Sequence, residues 1–161
     1  MQKKPWFNVA IGTLAVLAMA GGTMFAQNGT QCKSCTVAVN QNNGNLVVTY
    51  DISGLGGTTE AVFTLSATLE GHARCKNNGG NCPEAANKFG PADLSTQGIL
   101  GVHNGRARGT VTLTAATGLS CPGGQRAVII DVSWTNINFT VEGNTYLTAP
   151  GPENASLVSC P

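Results

Sequence analysis

Charged side chains are scarce here, 11% of the chain, and the nine basic and eight acidic groups nearly cancel. Such a balance gives no long-range field to gather nucleic acid or an anionic membrane surface, so neither is expected as a partner. Histidine is confined to His72 and His103, which leaves metal sites and nucleophile activation short of their commonest ligand and base. Aromatic residues make up 6%, and Tyr50, Phe63, Trp134, Phe139 and Tyr146 fall where a core is expected. The exposed rings that would suit a sugar are therefore missing, Phe89 excepted. The carboxylates Asp51, Asp93 and Asp131 are scattered rather than gathered in a loop as calcium requires. The signatures GxSxG, HExxH, the P-loop and the dinucleotide fingerprint are absent. No cofactor is expected, and no stretch keeps the period of an amphipathic helix.

What is present begins with a leader. Two lysines precede an uncharged run over 9–20 and the Gly21, Gly22 break, the layout of a secretory signal peptide. Cleavage is expected after Ala26, with Ala20 as the alternative. An uncleaved anchor competes with this reading, because about 20 apolar residues span a bilayer, but Asn8, Gly12, Thr13 and the glycine pair dilute the run. Removing 1–26 takes away Lys3 and Lys4 and leaves seven basic against eight acidic side chains. Residues 27–161 are then one domain, long enough to bury a core, delivered to the periplasm, the cell surface or the medium.

All six cysteines, Cys32, Cys35, Cys75, Cys82, Cys121 and Cys160, follow the leader. An even number in an exported chain favours disulfides. The short spacing of Cys75 and Cys82 around the asparagine and glycine residues 77–81 predicts a small ring. Cys32 and Cys35 would then reach Cys121 and Cys160, in an order the spacing does not fix. The CKSC tetrad has the spacing of a redox pair or half a zinc site, but it leads into a strand instead of a helix, and no second pair completes four ligands.

Alternation with period two runs through most of the rest, the mark of half-buried strands. Strands are expected over 36–40, 46–52, 61–69, 92–102, 106–115, 127–141, 146–148 and 155–160. Hairpin turns are expected at Asn43-Gly44 and Asn104-Gly105, where positive φ suits the sheet twist. Within 127–141 the apolar parity flips at Thr135-Asn136, as a β-bulge or a change of sheet would cause. Short strands with turns between them and no helix indicate an all-β fold, an antiparallel β-sandwich of immunoglobulin-like type, with a small jelly roll or barrel as the fallback.

The stretch 70–90, EGHARCKNNGGNCPEAANKFG, is where function is expected, with Asn77, Asn78, Asn81, Lys88 and Phe89 as candidate contacts. Glu70 and His72 share a strand face and supply the enzymatic alternative, a small hydrolase or inhibitor. CKNNGGNCPEAANK, the later SCPGGQ and the DVSWTNINFTV strand together resemble a group of small exported bacterial β-sandwich proteins. The resemblance spans most of residues 27–161, rests on loop and turn residues, and implies an exported fold with no assigned activity; Cys82 departs from its pattern. The expected function is binding or structural, at the cell surface or beyond, with an unknown partner or with other copies of the chain by strand addition.

Overall fold

Threonine, valine and isoleucine in alternation give a chain that is strand along most of its length. The structure, a computed structural model, describes residues 29–82 and 86–157. The expected leader and Cys160 lie outside them. The strands are β1 (Gln31–Val39), β2 (Leu46–Ser53), β3 (Glu60–Lys76), β4 (Asn87–Gly101), β5 (Arg106–Leu113), β6 (Arg126–Val141), β7 (Asn144–Ala149) and β8 (Glu153–Ser156). They form two antiparallel sheets, β1-β2-β5 and β4-β3-β6-β7, with β8 also paired to β6. The sheets pack face to face as a β-sandwich. Leu46, Val48, Tyr50 and Ile52 from one sheet meet Leu65, Leu69, Trp134, Ile137 and Phe139 from the other. Each large side chain so buried contributes about 1.5–3 kcal/mol.

The parity flip in β6 is a bulge. Ser66 pairs with Asn138 and Thr68 with Thr135, so Ala67 alone stands opposite Asn136 and Ile137. Asn136 takes φ 52°, a region asparagine enters more readily than other side chains, and the bulge lets both Trp134 and Ile137 turn inward with no exposure. A second bulge was not expected. His72 pairs with Asp131 and Ala73 with Ile129, leaving Ile130 as the extra residue. Consequently Val128 and Ile130 do not share the core face with Val132 and Trp134 as simple alternation implies.

At the far edge, Pro150-Gly151-Pro152 interrupts the pairing without ending it. β7 covers residues 137–141 of β6 and β8 continues along residues 131–134. Proline cannot donate to a ladder, and the gap falls where the β6 bulge would already spoil the register.

The cysteine pairing differs from expectation. Cys32 bonds Cys35, and Cys75 bonds Cys121. Cys82 is disulfide-bonded too, but not to Cys75. The physical reason is parity. Cys75 is an inward residue of β3, 1% exposed, and faces the β5–β6 loop that carries Cys121, whereas the turn to Cys82 leaves from the strand end. That turn closes by hydrogen bonds instead of sulfur: Asn77 N donates to Asn81 O at 2.9 Å, and Asn81 N to Asn77 Oδ1 at 3.0 Å. At the other site β1 bulges between Cys32 and Ser34, which puts Cys32 and Cys35 against the core together.

On the outside of the three-stranded sheet, Arg106 and Arg108 close on Asp51, Arg108 Nε at 3.3 Å. The hydrogen bond from Arg106, helped by the charge of both arginines, holds the Asp51 carboxyl below its ordinary value. A depressed folded value means stability present above the unfolded carboxylate pKa and lost as pH falls through the folded one. Asp51→Asn is therefore expected to be less stable than the parent at neutral pH, with the gap closing below about pH 4. Urea midpoints across that range would show it; a gap that stays constant into acid would contradict the pairing.

Candidate functional site

The site expected at 70–90 is built differently from a loop. β3 continues to Lys76 and β4 starts at Asn87, so Lys88 and Phe89 are strand residues. Lys88 pairs with His72 and Phe89 with Gly71. Phe89 is half-buried against the core instead of exposed. Gly71 makes room for it, since a Cβ there would lie 2.9 Å from Phe89 Cζ and 2.2 Å from the Asp131 carbonyl oxygen. Asn77 and Asn81 close the turn against each other, Asn81 remaining exposed, while Asn78 is exposed at its tip.

A cleft of about 290 Å³ opens at this end of the five-stranded sheet. The start of β4 (Asn87, Lys88, Phe89) forms one wall, Thr117 and Leu119 of the β5–β6 loop form the other, and Ala73 lies on β3 between them. The Cys75–Cys121 bond pins this loop to the sheet, and Thr117 Oγ1 shapes it by accepting from Leu119 N at 3.1 Å. The loop residues were not singled out from sequence, because nothing in TGLS marks a wall whose partner lies 30 positions earlier. Only the long-range disulfide reveals it.

Glu70 and His72 point to the outer face, as expected, but each takes a different partner. Glu70 Oε2 lies 3.7 Å from Lys88 Nζ. His72 Nδ1 lies 2.9 Å from Asp131 Oδ1, which also accepts from the His72 backbone N at 3.1 Å. A carboxylate only accepts, so Nδ1 carries the proton in this contact and Nε2 is the free ring nitrogen. The cross-strand neighbours of His72 are Lys88 and Asp131, and Ser156 lies opposite Asp131 on the side away from the imidazole. A histidine held by a carboxylate is half of a nucleophile-activating arrangement; the hydroxyl or thiol that would complete it is not among its cross-strand neighbours. Nor do the described residues bring together three or more His, Cys, Asp or Glu side chains able to hold a metal ion. Comparison with protein families, curated proteins and solved structures finds no match for this chain.

Proposed function

We propose that this is an exported, non-enzymatic binding protein of immunoglobulin-like build, acting in the periplasm, at the cell surface or outside the cell, and meeting its partner at the end of the sandwich that carries the cleft. The observation that carries the reading is the construction of that cleft. A long-range disulfide fixes the loop over 114–125 against a strand start, and holds open a partly apolar slot with Lys88 and Asn87 at its rim. Small sites of this kind are largely pre-formed and carry a few polar groups among apolar ones. Disulfides persist in oxidising compartments, which supports export. The immunoglobulin-like assignment draws on strand order. In that fold the first, second and fifth strands share one sheet and the third, sixth and seventh the other, a division that β1, β2, β5 and β3, β6, β7 follow. β4 pairs with β3 and not with β5.

Soluble glycan and peptide arrays probed with the oxidised protein test the reading. Ligands that belong to the cleft should bind Lys88→Glu at least about tenfold more weakly (about 1.4 kcal/mol) and Arg108→Glu, on the opposite sheet, unchanged. Ligands indifferent to Lys88, or turned over on incubation, would count against it.

A further inference from the structure

Near neutrality in the whole chain conceals a concentrated positive charge at the foot of β3. We infer that Arg74, Lys76 and Arg126 form an oxyanion site of phosphate type on the outer face of the five-stranded sheet. It uses none of the residues that line the cleft, so it stands or falls separately from the reading above.

Two independent observations converge there. The first is register. Lys76 of β3 is directly opposite Arg126 of β6, which puts their Cβ atoms about 5 Å apart on one face, an arrangement that costs stability when both charges have the same sign. Arg74 is two residues back on the same face, roughly 7 Å away. The second is an orphaned donor. Arg74 Nε is buried and meets no acceptor, and a buried charged donor without a partner is costly and calls for an ion or a water to explain it.

The neighbouring carboxylates are already taken. Glu70 faces Lys88, Asp131 holds His72, and Asp51 on the other sheet holds Arg106 and Arg108. Among the described residues, no carboxylate forms an ion pair with Arg74, Lys76 or Arg126. One group with several acceptor oxygens and at least one full negative charge resolves both problems at once. It lies between Lys76 and Arg126, cancelling their repulsion, within reach of the Arg74 guanidinium, whose covered Nε gains its acceptor as the side chain turns outward. Guanidinium forks match the planar face of a phosphate or sulfate through paired N–H donors, and the lysine adds a point charge. The ligand class is thus a phosphoryl or related oxyanion, free or carried on a chain.

The test uses ¹⁵N-labelled, fully oxidised protein at low ionic strength, titrated with inorganic phosphate and, separately, with polyphosphate. Saturable amide shifts centred on residues 74, 76 and 126 are expected, and Arg74→Gln with Arg126→Gln should raise the Kd at least about tenfold while Lys33→Gln leaves it unchanged. Polyphosphate binding tighter than phosphate by more than its content of phosphate groups assigns the site to a chain-borne anion; equal affinity per group assigns it to the free ion. Without any ligand, Lys76→Gln should raise the unfolding midpoint at low salt, with the gain fading as salt approaches about 0.5 M, because screening already removes the repulsion. Shifts spread evenly over Lys33, Lys88 and Arg108, an unchanged Kd in the double variant, or no stabilisation by Lys76→Gln would overturn the inference.

Discussion

Replacing Cys75 and Cys121 together by alanine is expected to lower the unfolding free energy by about 4 kcal/mol, whereas the same change at Cys32 and Cys35 should cost only about 1.5–2 kcal/mol. The difference follows from loop length. The first bond closes a separation of 46 residues and the second a separation of 3, and the entropy removed from the unfolded chain grows with the logarithm of the closed loop. Packing pushes the same way, because Cys75 is 1% exposed within the sheet while Cys32 and Cys35 are only half-buried at the start of an edge strand. Urea denaturation of the two double variants, each with its other bonds kept oxidised, measures both losses. The double change at 75 and 121 should also release the 117–119 wall and abolish the cleft, so any ligand found there should be lost with it. Equal destabilisation by the two pairs would mean that loop closure is not what these bonds contribute.

That contrast shows where sequence reading succeeded and where it stopped. Turns are local, as was the signal for one bulge, and their chemistry was legible. Asn43-Gly44 turns with Gly44 at φ 75°, Asn104-Gly105 turns with both residues at positive φ, and the parity flip at Thr135-Asn136 marked the β6 bulge by position. The bulge at Ile130 was not legible, because Val128, Ile129 and Ile130 are all apolar and a slip among them leaves alternation unchanged. Everything that depended on pairing distant segments was hidden for the same reason. Cys75 comes to its place beside Cys121 through a register that two bulges have shifted, and His72 meets Asp131 through one that the first has shifted, and no residue type near either one announces the partner. The candidate site therefore came out as a place on the chain, with its strand walls, its loop and its charge partners supplied by topology.

The largest single-residue effect is expected at Trp134. Its side chain is fully buried, and from β6 it reaches across the sandwich so that Nε1 donates to the Gly44 carbonyl in the β1–β2 turn at 2.9 Å. It therefore joins the two sheets by volume and by a hydrogen bond in a dry environment. Trp134→Ala removes both and should cost about 3–5 kcal/mol. Trp134→Phe keeps most of the ring but leaves the Gly44 carbonyl without its donor, at about 1–3 kcal/mol for the unsatisfied group, with a smaller void added. The turn has little freedom to close that void. Gly44 lies close enough to Val132 that an added Cβ would come within 3.1 Å of its Cγ1, so β6 and the turn are already in contact. Equilibrium denaturation followed by circular dichroism gives both values, and Trp134 fluorescence in a protein beginning after the expected cleavage point reports the parent transition without interference from Trp6. If Trp134→Phe costs less than about 0.5 kcal/mol, the bond to the turn contributes nothing, and the register between the two sheets must be held by apolar packing alone.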